Sequence, residues 1–279
     1  MKRLGLLFVV MLLMAATHSN ASADTLVFSQ GFDAPNTNGV FSTLNGGSGV
    51  VKRAPSGFNG ITSSSGAGYG TVSQDANGAP FTKFDGYRSV WTGGFRSSVD
   101  VYLPLTWSGN QGFDLSTAVS GTDGNHRRDF IFHAAFDTST GKLLIGADNT
   151  TNFAPRQDLE TIDHLEVTQA GWYTLQSTFY DNGGVLAVDM QVLQGNVVLF
   201  THTLSDASDV MGLIGGNRYG WFTNIDLPAN PSGQLAIDNW NLSVTQTPEP
   251  ASMILLGTGL VGVAGAARRR FKKPTKIEG

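Results

Sequence analysis

Glycosidic hydrolysis, the chemistry that acidic residues most readily suggest, needs two carboxyl groups facing one cleft, about 5–5.5 Å apart when configuration is retained. The densest acidic stretch is Glu160-Thr161-Ile162-Asp163-His164-Leu165-Glu166. Its acids fall three residues apart, so on a strand Asp163 points away from Glu160 and Glu166, and the spacing reads as a solvated polar stretch. The five histidines, His18, His126, His133, His164 and His202, show neither metal-ligand nor triad spacing. Neither G-x-S-x-G nor H-E-x-x-H occurs. Cysteine is absent, which excludes thiol catalysis and Cys-ligated zinc. The expected catalytic set is empty, and the chain reads as a non-enzyme.

Binding chemistry is better represented. Gly215-Gly216-Asn217-Arg218-Tyr219-Gly220-Trp221 combines an expected loop backbone with an amide, a cation and two rings, so Asn217, Arg218, Tyr219 and Trp221 are the candidate ligand contacts. Trp91, Trp107 and Phe222 also lie in or beside expected loops. For any of these aromatics, packing in the interior is the competing role, because rings bury large areas. Asp33 and Asp238 sit near the first and last expected strands. Hard carboxylate oxygens there would suit a structural Ca²⁺, while hydrogen-bonded turn carboxylates are the plainer reading.

The elements that must position these groups are strands. Val185 to Leu193 places Leu186, Val188, Met190 and Val192 on one face and Asp189 and Gln191 on the other. Phe130, Phe132, Ala134 and Phe136 alternate with Ile131, His133 and Ala135, which puts His133 on the opposite face of its strand. Turn signals at Asp181-Asn182-Gly183-Gly184 and Gln194-Gly195-Asn196 join Trp172–Tyr180, Val185–Leu193 and Val197–Leu204 into a meander. Residues 35–80, rich in Gly, Ser and Asn, read as long surface loops with short strands between them. The expected fold is all-β, an antiparallel sandwich over residues 24–245.

The ends differ from the body. Met1-Lys2-Arg3, an apolar run from Leu4 to Ala16, and Ala21-Ser22-Ala23 have the three parts of a signal peptide over residues 1–23, cut after Ala23 by a signal peptidase that reads Ala21 and Ala23. Eight of the 18 bases lie in residues 1–23 and 268–279, which leaves 10 bases against 21 acids between them. A body this acidic repels phosphate backbones, so nucleic acid is not an expected partner. At the other end Pro248-Glu249-Pro250 precedes 17 uncharged residues, 251–267, then Arg268-Arg269-Arg270 with Lys272 and Lys273. The prolines hold the backbone extended. The apolar run sits at the lower edge of the ~17–25 residues a spanning helix needs, and the basic cluster (268–273) stays cytoplasmic by the positive-inside rule. Residues 274–279 are a short tail.

That order of features resembles the PEP-CTERM sorting signal, over residues 246–273. The resemblance implies recognition of Pro248, Glu249 and Pro250 by an exosortase, a membrane-embedded processing enzyme, with Arg268, Arg269 and Arg270 retaining the chain until processing. It also implies an exopolysaccharide-making Gram-negative host. Together with the signal peptide, it implies passage through the Sec export machinery. The chain then spans the inner membrane once with its body in the periplasm, and reaches the cell surface or the exterior after processing. The stretch Gly171-Trp172-Tyr173-Thr174-Leu175, the meander, and Leu235-Ala236-Ile237-Asp238-Asn239-Trp240-Asn241-Leu242 resemble concanavalin A-like or laminin-G-like jelly rolls. This implies a polysaccharide-binding body, with a glycan hydrolase or a purely structural matrix protein as the alternatives.

Overall fold

Alternating apolar residues become strands with one face on a shared core. The computed structural model describes residues 24–34, 50–74, 79–149, 154–227 and 233–245, all within the unit Asp24–Thr245. The first strands are β1 (Thr25–Gln30), β2 (Val50–Pro55), β3 (Gly68–Ser73), β4 (Phe81–Thr82) and β5 (Gly94–Leu103). There follow β6 (Gly112–Gly121), β7 (His126–Asp137), β8 (Lys142–Asp148), the one-turn helix α1 (Ala154–Gln157) and β9 (His164–Glu166). The chain continues through β10 (Gly171–Asp181), β11 (Val185–Gln194), β12 (Val197–Val210), β13 (Ile214–Asp226) and β14 (Leu235–Val244).

Two antiparallel sheets form the sandwich. One has eight strands, in the order β12-β11-β10-β5-β14-β3-β2 with β1 also on β14. The other has six, in the order β4-β13-β6-β7-β8-β9. The last strand, β14, is interior. One edge pairs with β5, and the other pairs with β3 through Leu235–Ile237 and then with β1 through Trp240–Val244. The expected meander is present as β10, β11 and β12, joined at Asn182 by an N–H bond to the Val185 carbonyl (2.9 Å).

The core lies between the sheets. From the eight-stranded sheet come Phe95, Val99, Leu175, Phe179, Leu186, Val188, Met190, Val192 and Trp240. Phe113, Leu115, Phe130, Phe132, Ile145 and Phe222 face them from the other. A file of rings crosses this space, Phe28 to Phe84 (centroids 5.5 Å), Phe84 to Trp240 (6.1 Å), Trp240 to Phe222 (5.2 Å) and Phe222 to Phe113 (5.9 Å). Such tilted and edge-to-face pairs add about 0.5–1.5 kcal/mol each beyond burial.

Two of the short strands expected within residues 35–80 are β2 and β3, and β3 runs between β14 and β2 with Tyr69 and Val72 fully buried. Gly70 is small because the Phe32 ring lies against it, and a Cβ there would meet the ring at 2.6 Å. The signal peptide expected at 1–23 and the membrane helix and basic cluster expected at 251–273 lie outside the described residues. Among the described residues, no helix is long and apolar enough to cross a membrane.

Candidate functional site on the outer face of the six-stranded sheet

Three neighbouring strands turn polar groups away from the core. On β6, Phe113 and Leu115 enter the core, so Asp114 and Ser116 point outward. On β7, Phe130 and Phe132 go inward and leave Ile131 and His133 outside; on β13, Phe222 does the same for Trp221 and Thr223. Register then sets the neighbours. Asp114 lies between Thr223 and His133, and Ser116 between Trp221 and Ile131. With Asp129 and Asn224, these side chains line a pocket of about 190 Å³.

The pocket is rich in acceptors. The His133 Nδ1–H donates to Asp114 Oδ1 (2.9 Å), and Asn224 Nδ2 donates to Asp114 Oδ2 (2.5 Å). Asp129 Oδ1 accepts from the Ser116 hydroxyl (2.5 Å) and the Tyr219 hydroxyl (3.0 Å), while Oδ2 accepts from His126 Nε2 (2.7 Å). Burial opposes the Asp129 charge, but these donors outweigh it and hold the carboxyl below the usual aspartate range. Burial, then the Asp129 carboxylate, pushes the Tyr219 hydroxyl up. His133 is only 1% exposed, and its Nε2 has no hydrogen-bond partner. Arg156, on α1, donates to the carbonyls of Asn224 (2.5 Å) and Asn110 (3.1 Å). Burial lowers its pKa, and Asp114 and Asp226 favour its charge.

Of the four expected contacts, Tyr219 and Trp221 reach this face. The stretch Gly215–Trp221 is part of β13, not a loop. Register slips between Asn217 and Tyr219, so Asn217 pairs with Val119 and Tyr219 with Ala118. Residues two apart then no longer share a face. Asn217 is fully buried and its amide donates to Asp85 Oδ1 and the Gly86 carbonyl (both 3.1 Å). Arg218 donates to the Gly124 carbonyl (2.7 Å) and lies over the Tyr87 ring (4.4 Å). Trp107 and Phe222 belong to the core. Asp114, Ser116 and Asp129 escaped notice in the sequence, although the Phe-Asp-Leu-Ser alternation at 113–116 carries the same signal that places His133 on the outer face.

Asp33 and Asp238 do converge, because β1 pairs with β14. Both hold the 65–67 backbone. Asp33 Oδ1 accepts from the Ala67 N–H (2.6 Å), and Asp238 Oδ2 from the Ser65 N–H (3.1 Å). These are the hydrogen-bonded turn carboxylates of the plainer reading. Among the described residues, no group of three or more His, Asp or Glu is placed to hold a metal ion.

Asp238 nevertheless has a consequence for stability. Burial raises its carboxyl to about 6; the Ser65 and Asn239 N–H groups oppose the rise, and the facing Asp100 adds to it. Between the ordinary aspartate pKa and about 6, the folded state therefore binds the extra proton. Stability from this group is fully present below that window and is lost as pH rises through it. Melting temperature should fall from pH 4 to 6 in the unmodified protein, and Asp238→Asn should flatten that slope. An unchanged slope in the variant would assign it to other groups.

Comparison with known proteins adds the following. Residues 246–270 match the PEP-CTERM protein-sorting motif. No curated protein matches the chain. Among solved structures, the CBM22-1 xylan-binding domain from Paenibacillus barcinonensis Xyn10C is similar at 12% identity and a TM-score of 0.40, with 82% of this chain and 99% of that one covered. The Ca²⁺-bound VIP36 exoplasmic/lumenal domain shows 12% identity and a TM-score of 0.41, with coverages of 80% and 93%. The receptor-binding domain of botulinum neurotoxin D shows 10% identity and a TM-score of 0.37 over 85% of this chain, which spans about half (53%) of that one. The chain therefore carries a PEP-CTERM sorting motif behind an antiparallel β-sandwich. That motif implies export, C-terminal membrane anchoring and exosortase processing.

Proposed function

We propose that this chain is an exported, non-catalytic polysaccharide-binding protein of the cell surface or extracellular matrix. On this reading the Sec machinery exports it, cleavage follows Ala23, and residues 251–267 hold it in the inner membrane with the sandwich in the periplasm. Exosortase processing near Pro248-Glu249-Pro250 then delivers the body outward. The binding function rests on one observation: the Trp221 side chain lines the same pocket as Asp114, Ser116 and Asp129. An aromatic ring beside carboxylates suits a sugar ring with its hydroxyl groups.

A second reading, a glycan hydrolase, draws on the two carboxylates lining that pocket. A hydrolase needs one carboxyl with a raised pKa to serve as general acid. Asp129 is held low by three donors and so does not suit the acid role. A glycan array probed with the purified protein separates the two. We expect retention of at least one polysaccharide without turnover, and its loss in Trp221→Ala. Reducing-end release abolished by Asp114→Asn or Asp129→Asn would establish the hydrolase instead. An array with no retained glycan would leave a purely structural role.

A further inference from the structure

We infer that the pocket beside Trp221 selects a sugar bearing a free amino group, a hexosamine in its ammonium form, over neutral, acetylated or acidic sugars. This deepens the polysaccharide-binding reading and rests on it. The donors of the pocket are largely committed: the Ser116 hydroxyl to Asp129, the Trp221 indole N–H to the Ala79 carbonyl (3.1 Å), and the Asn224 amide to Asp114.

Its acceptors are not. Each oxygen of Asp114 has one donor in place, as does Asp129 Oδ2, and a carboxylate offers roughly four lone-pair positions. In its neutral form the His133 ring, giving Nδ1–H to Asp114, presents Nε2 as an acceptor, buried and without a partner. A buried acceptor left empty is costly, so a ligand donor that fills it recovers that cost.

Charge narrows the ligand further. Asp114 and Asp129 both line the pocket, and Asp129 is held in its ionised form by its donors. The nearest cations, Arg156 and His126, each approach one carboxylate from its far side and also bind other groups. The Arg156 guanidinium donates to two backbone carbonyls between Asp114 and Asp226, and His126 lies against the far oxygen of Asp129 and stacks on Tyr219 (6.0 Å). An ammonium has three donors and no acceptor, which complements this lining. The Trp221 ring adds cation–π attraction to the same group. A carboxylate, sulfate or phosphate would meet like charge, and an N-acetyl group would replace three donors by one and lose the charge.

The test is titration calorimetry near pH 6 on the purified full-length protein in detergent. The probes are equal-length β-linked oligosaccharides of glucosamine, N-acetylglucosamine and glucose. We expect the glucosamine oligomer to bind tighter than either of the others by about tenfold or more, the scale of one charge-assisted hydrogen bond. Asp114→Asn should erase that preference while leaving weak binding of all three, and His133→Gln should reduce it. Equal or tighter binding of the acetylated or neutral oligomer, lost in Trp221→Ala, would overturn the amine selectivity and leave the polysaccharide-binding reading standing. Binding that Trp221→Ala does not weaken, or no binding at all, would overturn both.

Discussion

Alanine in place of Pro248, Glu249 and Pro250 is expected to leave the protein at its full C-terminal mass, confined to the envelope fraction. The unaltered chain should instead yield a product lacking residues beyond about Pro250. The three residues lie inside the matched sorting motif, residues 246–270. On the proposed reading, two residues that cannot donate a backbone N–H disfavour helix at the motif, and alanine removes that bias. Intact-mass measurement of envelope and medium reads the outcome directly. An identical truncated product from both chains would show that cleavage ignores the motif. Retention of Arg268-Arg269-Arg270 in the mature unaltered protein would reduce the tail to a plain anchor.

The second large effect concerns the core. Trp240→Ala is expected to lower the unfolding free energy by about 3–5 kcal/mol, the range for emptying a large aromatic site. Trp240 is 1% exposed and stands in the middle of the ring file, against Phe84 from one side and Phe222 from the other. The site cannot collapse easily, because the neighbouring backbone is already fitted to the indole. Gly220 lies so close that a Cβ there would sit 2.5 Å from the Trp240 ring. Urea unfolding followed by tryptophan fluorescence and circular dichroism checks the value. A loss under about 1 kcal/mol would mean that the two sheets close over the gap, since full packing penalties require incomplete relaxation.

Much of the fold was legible where side chains alternate without interruption. Leu186, Val188, Met190 and Val192 were assigned to one face of a strand, and all four enter the core. His133 was placed opposite Phe130 and Phe132, and it lies there. Legibility failed where glycine replaced the pattern. Gly215–Trp221 looks like a loop by composition, yet it is a strand in which Gly220 makes room for Trp240. The pocket was hidden for a different reason. Asp114 and His133 are 19 positions apart and meet only through the β6–β7 register, which no local spacing records. Tyr219 and Trp221 stand out by ring type alone, whereas the burial of Asn217 follows from a slip in register that cannot be read from composition.

The interior place of β14 also orders events in time. A chain threaded outward from its N-terminus delivers residues 235–244 last, so β5, β3 and β1 emerge before the strand that joins them. Until then the larger sheet is three pieces, β12-β11-β10-β5, β3-β2 and β1 alone, with their apolar faces uncovered. The sorting tail at 246–270 follows within a few residues. Completion of the sandwich and arrival of the tail are thus nearly simultaneous, and a body that has failed to close should remain a substrate for envelope proteases before it can be released.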